Sequence, residues 1–287
     1  MGRPLFGIFP TPSAADFDEI LRLVKLADEL GLDLVGVQDH PYQRRFLDTF
    51  SLLPVLLAET ERIVAFPDVA NLPLRGAAML AKAAASIDVM FPGRFVLGIG
   101  AGGFLEAVAA MGGPQLTPGQ AVDAFEEAIP VIRALWSGQR GLRVPGVHHH
   151  LAGVHSGPVP TTELEIWTGA GGPRMLELTG RLCDGWVPSS AYLPPERLTE
   201  SMRAIDRAAR EAGRSPSDIR RIYNVAGTIR PGPAEGLLVG DGDHWQRQLV
   251  SLSEQGIDGF LLVLGDDAET QVRRFAEVAD AVRAVVT

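Results

Sequence analysis

Short continuous apolar runs alternate along the chain with longer stretches whose apolar positions recur at helical spacing. Leu5–Phe9 reads as a first strand. Asp16–Leu30 then places Phe17, Ile20, Leu21, Val24 and Ala27 on one helical face, and Gly31 stops it. Strand patterns follow at Leu34–Gln38, Ile63–Phe66, Phe95–Ile99, Glu165–Thr168, Gly185–Pro188, Ile222–Thr228 and Gly259–Val263. Between them lie helical patterns over Thr49–Thr60, Arg75–Met90, Ala121–Trp136, Pro173–Leu182, Pro195–Ala212 and Trp245–Gln255. Ala268–Val285 closes the chain, with a core stripe of Val272, Phe275, Ala276, Ala279 and Val282. Strands alternating with helices imply parallel pairing through right-handed crossovers. Their number predicts an α/β fold, a single-domain (β/α)8 TIM barrel over 1–287, with ligand-binding loops after the strands. Ser137–Thr162, rich in Gly, His and Pro, is too long for a plain connection. It is expected as a functional excursion between strands 4 and 5, over the barrel mouth.

Two glycine-rich turns sit just past predicted strands: Gly98-Ile-Gly-Ala-Gly-Gly103 and Gly169-Ala-Gly-Gly-Pro173. Glycine exposes backbone N–H groups to an anion, and a helix starting directly afterwards adds unpaired N–H groups and a positive dipole end. Pro173 at a first helical position costs no hydrogen bond. The first turn formally satisfies the dinucleotide fingerprint, but three β/α units precede it and the segment some 20 residues on is helical. A phosphate-contacting barrel loop and a plain tight turn remain the two readings of each. Arg174 would add a cation to a phosphate, or stand exposed.

Asp39-His40 ends the second strand, which puts both side chains at the C-terminal mouth of a barrel. A histidine there exchanges a proton near neutral pH, and a neighbouring carboxylate fixes its tautomer. The competing reading has Asp39 capping a turn and His40 packed under a loop. His148-His149-His150 invites a metal, yet consecutive residues on a regular element cannot converge on one ion and no Cys or carboxylate cluster accompanies them, so no metal site is expected. Cys183 reads as core filler. No G-x-S-x-G elbow supports serine catalysis.

Composition narrows the function classes. The 287 residues are 46% hydrophobic and 21% charged, enough for a sizeable core. A net charge of −9 without a Lys/Arg cluster predicts no nucleic-acid partner. One cysteine, an apolar strand pattern at once from the N-terminus and no apolar run of spanning length predict a cytoplasmic location and no membrane partner.

Taken in order, several short stretches resemble the bacterial luciferase-like monooxygenase superfamily. They are Leu30-Gly31-Leu32-Asp33 through Val37-Gln38-Asp39-His40, Ser86-Ile87-Asp88 to Gly93-Arg94-Phe95, Glu106, Gly112, Arg133–Trp136, Gly169–Pro173, Asp184-Gly185-Trp186 and Gln255–Phe260. The resemblance runs almost end to end and is greatest to the branch that uses the deazaflavin coenzyme F420. It implies an oxidoreductase transferring a hydride between F420 and a small organic substrate, with His40 beside the reacting carbon. It implies a bulge after the third strand, with a cis peptide at Asp68–Val69 followed by Asn71, that cushions the ring. It places the cofactor phosphate on Ala101-Gly102 and Ala170-Gly171-Gly172, while position alone, in the glycine turns and at the end of the second strand, adds Gly103, Pro173 and Asp39 as candidate cofactor contacts. Two departures stand out. Gly103 occupies the position of the catalytic glutamate of the sugar-phosphate dehydrogenases, and Ala101 that of an arginine frequent in flavin-using luciferases. The alternatives are an FMN-dependent monooxygenase and a non-catalytic flavin- or deazaflavin-binding protein. Barrels of this kind often form homodimers through helices near strands two and three.

Overall fold

The computed structural model describes residues 2–286. Eight strands form its central barrel: β1 (Leu5–Phe9), β2 (Leu34–Val37), β3 (Val64–Pro67), β4 (Leu97–Gly100), β5 (Ile166–Thr168), β6 (Gly185–Trp186), β7 (Arg220–Val225) and β8 (Gly259–Val263). All pair in parallel, in the order β3-β2-β1-β8-β7-β6-β5-β4. Closure comes through the third strand. Its lower part bridges to Phe95 at Ala65, and its continuation, Ala70–Asn71, pairs with Ile99 and Gly100 of β4. Between the two parts lies the Asp68–Val69 interruption, where the peptide bond is cis as the resemblance implied. The ninth strand of the sheet is thus the third strand resumed.

A helix follows each barrel strand: α1 (Phe17–Glu29), α2 (Thr49–Ala58), α3 (Ala77–Met90), α4 (Pro118–Trp136), α5 (Pro173–Leu182), α6 (Leu198–Glu211), α7 (Gly242–Glu254) and α8 (Ala268–Arg283). The strands are buried on both faces, which explains their unbroken apolar runs. One core lies between helices and sheet. A second, of Leu34, Phe66, Val96, Trp167, Val187, Ile222 and Leu261, plugs the barrel interior. Phe66 and Trp167 meet edge to face there at 5.0 Å. Gly98 is required in β4 because a Cβ would stand 2.0 Å from the Pro67 carbonyl oxygen.

The sequence-based boundaries hold to within a few residues, and the stripe on α8 is buried as expected. Four short elements escaped the reading: a helix at Leu105–Ala110, a helix at Leu72–Arg75, and the paired strands Thr228–Ile229 and Val239–Gly240. Ser137–Thr162 corrects a larger expectation. It contains an antiparallel hairpin, Leu142–Val144 against Leu151–Val154, and lies on the flank of α4 rather than over the mouth. Glu127 of α4 holds the hairpin tip by accepting from the backbone N–H groups of Val147, His148 and His149, at 3.2, 2.7 and 3.0 Å. Asp88 at the end of α3 holds the return through Thr161 and Thr162.

Candidate active site

A cavity of about 400 Å³ opens at the C-terminal ends of the strands. It takes residues from the end of every barrel strand or the loop after it, including Phe9, His40, Asp68, Gly100, Gly171, Val187, Asn224 and Val263. His40 and the second glycine turn therefore share one rim. The interior plug forms the floor, and Asp68 lies directly above it: its carboxylate oxygen stands 3.0 Å from where a Cβ on Gly36 would point.

His40 follows β2 and is half-buried. Its Nδ1 shares a hydrogen bond of 2.6 Å with the Tyr42 hydroxyl, and its ring meets Phe104 edge-on at 5.8 Å. Burial lowers the imidazole pKa below its ordinary value, against the opposing attraction of Asp39, so the ring is neutral near pH 7. Among the described residues nothing hydrogen-bonds Nε2, the ring nitrogen left for a ligand.

Asp39 is 3% exposed. Arg75 donates to it in bidentate fashion, with Nε and Nη2 each at 2.6 Å, and the Asn71 N–H donates at 2.8 Å. Its carboxylate therefore ties the loop after β2 to the resumed third strand. Arg75 is held in turn by Asp48 and lies 4.5 Å from the centre of the Phe50 ring.

Asp68 behaves differently. Its only protein partner among the described residues is the Asn224 side-chain amide, which donates at 2.8 Å. Burial away from water, only partly offset by that hydrogen bond, pushes its carboxyl up to about 7.

The glycine turns supply open donors. A Cβ placed at Gly103, Gly171 or Gly172 would meet nothing within 4 Å. Gly102, with φ +99°, adopts a conformation that L side chains avoid. The N-cap of α5, Gly172, makes no side-chain cap, so the first N–H groups of that helix face outward. Of the sequence-based candidates, Asp39, His40, Asp68, Val69, Asn71, Gly102, Gly103, Ala170 and Gly171 line the cavity. Ala101 lines an adjoining cleft instead, Pro173 opens α5 beside another, and Gly172 stands between Gly171 and that helix. Arg174 turns away to pair with Asp123 at 2.7 Å. The three consecutive histidines lie on the hairpin, and no cluster able to hold a metal occurs among the described residues. Cys183 is fully buried, its thiol pushed up to about 12 by burial.

Reasoning from sequence missed Tyr42, Arg75, Phe104, Tyr192 and Asn224. Tyr42 was within reach, two residues beyond the chosen histidine. Arg75 and Asn224 carry no local signal, because their partners are 36 and 156 residues away.

With this geometry in view, comparison with known proteins is direct. A family model described as luciferase-like monooxygenase matches residues 5–236. The chain belongs to the luciferase-like monooxygenase family. Within known members it is similar to the F420-dependent glucose-6-phosphate dehydrogenase of Microbacterium testaceum, at 30% identity over 222 residues. That alignment covers 75% of this chain and 65% of the relative. It is also similar to the 5,10-methylenetetrahydromethanopterin reductase of Methanolobus tindarius, 32% identical over 221 residues, covering 75% of this chain and 62% of that protein. The matched part thus spans less than two thirds of these relatives. Among solved structures, an F420-dependent secondary alcohol dehydrogenase in complex with an F420-acetone adduct superposes with a TM-score of 0.87. It covers 98% of this chain and 99% of its own at 19% identity, a likeness of fold. The luciferase-like barrel expected from the sequence is therefore the observed fold. No helix among the described residues is long and apolar enough to cross a membrane.

Proposed function

We propose that this luciferase-like protein is an oxidoreductase that moves a hydride between coenzyme F420 and a small organic substrate. The observation that carries the proposal is the shared rim: His40 and the open donors of Gly103 and Gly171 face one cavity that every barrel strand helps to line. The site also fits such a group. Open space lies where Cβ atoms would project from Gly171 and Gly172, and a buried polar atom of the cavity lining, Asn224 Oδ1, lacks a protein partner among the described residues.

When bound, the deazaflavin supplies a two-electron carrier whose ring accepts or donates hydride. The backbone N–H groups of Gly102, Gly103, Gly171 and Gly172 hold its phosphate, reinforced by the α5 dipole. No Lys or Arg lines the cavity among the described residues. A cradle of neutral amides suits a singly charged phosphodiester better than the dianionic monoester of FMN. Val69 and the turn at Asp68 back the ring, and Asp39 acts through Arg75 and Asn71 to fix the loop that carries His40. His40 moves the accompanying proton at Nε2. As the imidazolium formed in one direction of transfer, with Nδ1–H donating to the Tyr42 hydroxyl oxygen, the ring would give up its Nε2 proton in the other. With that hydroxyl accepting, Nε2 is the base. One pair of side chains thus serves either direction of transfer.

Titrating the purified protein with F420 and with FMN, following ligand fluorescence, tests the reading. Tighter binding of F420 supports it; tighter binding of FMN, or of neither, overturns it. A homodimer belongs to the same proposal. Val55 of α2 and Met79 and Met90 of α3 are large apolar side chains left exposed on the helices after the second and third strands. Sedimentation of Met79→Glu beside the unaltered protein tests that face.

A further inference from the structure

The substrate side of the cavity has a chemistry of its own. Its acidic lining residues are Asp39, paired with Arg75, and Asp68, whose buried carboxyl holds its proton more tightly than usual, and His40 is neutral. The nearest guanidinium, Arg75, is occupied by Asp39 and Asp48. With the cofactor phosphate on the glycine N–H groups, an anionic substrate entering here would give up hydration with neither a cation nor a free backbone donor to replace it.

Against this electrostatic emptiness stands an aromatic angle. The rings of His40 and Tyr42 lie 5.5 Å apart, those of His40 and Phe104 5.8 Å, and those of Tyr42 and Phe104 6.1 Å. Tyr192, 80% exposed, also lines the cavity. Phe104 is the anomaly. It is a large apolar side chain 61% exposed, on a backbone in the left-handed region at φ 54° and ψ 49°. That conformation is unfavourable for a non-glycine residue, and most of the ring is left in solvent. Such residues persist where a site over-determines them. On the far side of Phe104 an apolar cleft of about 850 Å³ runs past Leu105, Leu116, Val122 and Met175, and it shares Gly102 and Gly103 with the main cavity.

We infer that the substrate is an uncharged, apolar ring compound that stacks in the angle of His40, Tyr42 and Phe104, with its apolar substituents led over Phe104 into the adjoining cleft. Phosphorylated and other anionic substrates are excluded. This rests on the proposed F420 reading for the chemistry and for the exclusion of anions, though not for the stacking itself. Phe104 and Tyr42 then set specificity, and His40 is placed within reach of the ring they hold.

Calorimetric titration of the F420-loaded protein with 2-naphthol, naphthalene-2-sulfonate and glucose 6-phosphate tests the inference. Naphthol is expected to bind at least tenfold more tightly than either anion. Phe104→Gly, which relieves the left-handed backbone and so leaves folding intact, is expected to weaken naphthol at least fivefold with F420 affinity unchanged. Equal or tighter binding of either anion overturns the inference, as does a naphthol affinity indifferent to Phe104→Gly. The same titrations on protein without cofactor keep the two proposals apart. Failure to bind F420 sinks the cofactor reading alone, while naphthol binding and its loss in Phe104→Gly still decide this one.

Discussion

The two ends of the barrel use the same residue type in opposite ways. At the N-terminal end, an aspartate stands just before each of three strands and accepts the N–H of a residue at or near the start of a neighbouring strand. Asp33 accepts from Phe6 at 2.8 Å, Asp184 from Ile166 at 2.9 Å and Asp258 from Arg221 at 2.7 Å. Asp28 does the same for Glu61 and Ile63. Arginines complete the set, with Arg283 on Asp33 and Arg133 and Arg214 on Asp184. At the C-terminal end, Asp68 has one amide partner and a raised carboxyl, and glycine N–H groups face open space. Carboxylates committed to backbone donors and cations hold a fold together, whereas groups left over are what a ligand satisfies. Asp39, locked to Arg75 and the Asn71 N–H, is a carboxylate of the upper rim built in the manner of the lower.

The contrast is broken most sharply at His40. His40→Gln keeps a polar side chain but removes the proton exchange, so turnover with F420 is expected to fall about 10²–10⁴-fold. Cofactor affinity, read by fluorescence, stays within threefold. Equal losses in turnover and affinity would show His40 to be a binding group instead. At the other end, Asp184→Ala strands the Ile166 N–H and frees two guanidinium groups, which costs about 2–3 kcal/mol of stability. Urea denaturation should register that loss while F420 affinity is unaltered. Weakened cofactor binding at undiminished stability would erase the division between the rims.

Much of this division can be read in the chain, for a physical reason. An aspartate directly ahead of a strand recurs visibly, as Asp33 before Leu34, Asp184 before Gly185 and Asp258 before Gly259, although the N–H each one accepts lies 27, 18 and 37 residues away. The strands and α8 were equally plain, since burial on both faces or along one stripe imposes its period on consecutive residues. The upper rim was half legible. Asp39-His40 and the two glycine turns announce themselves by position, and the interruption at Asp68 by resemblance. The Arg75–Asp39 pair, the Asn224 amide on Asp68 and the Phe104 wall arise only when distant segments meet. Ser137–Thr162 misled because length and composition reveal an excursion without revealing where it docks. Its docking depends on one carboxylate of α4, Glu127, and on Asp88 of α3.

A bulkier residue at the open turn sharpens the comparison from the ligand's side. Gly171→Val adds a branched side chain where a Cβ meets no protein atom within 4 Å. Folding stability is therefore expected to change by less than about 0.5 kcal/mol. If that space belongs to the cofactor phosphate, F420 affinity drops on the order of a hundredfold. A variant that binds F420 as the unaltered protein does would remove this turn from the cofactor site.

The smallest effect, and the most specific to the upper rim, lies in the pH dependence of Asp68. In the folded protein its carboxyl keeps its proton up to about 7, whereas in the unfolded chain it ionises near 3.8. Between those values the folded state binds more protons than the unfolded one, so stability falls as pH rises through the interval and levels off above it. The full displacement corresponds to about 4 kcal/mol. Because the carboxyl is partly open to cavity water, about 1–2 kcal/mol of it is expected in practice. Asp68→Asn carries no such ionisation, so denaturation midpoints of the two proteins should nearly coincide at about pH 3, below the unfolded-state value, and separate by pH 8 in favour of the variant. At the lower rim the sign reverses for Asp88, whose carboxylate is held below its usual range chiefly by the hydroxyls of Thr162 and Thr161 against the opposing effect of burial. Its contribution is present above that range and lost on acidification. A variant gap that widened towards low pH instead would mean that Asp68 is ionised and paired like its counterparts below, and the distinction between the two ends would fail at its floor.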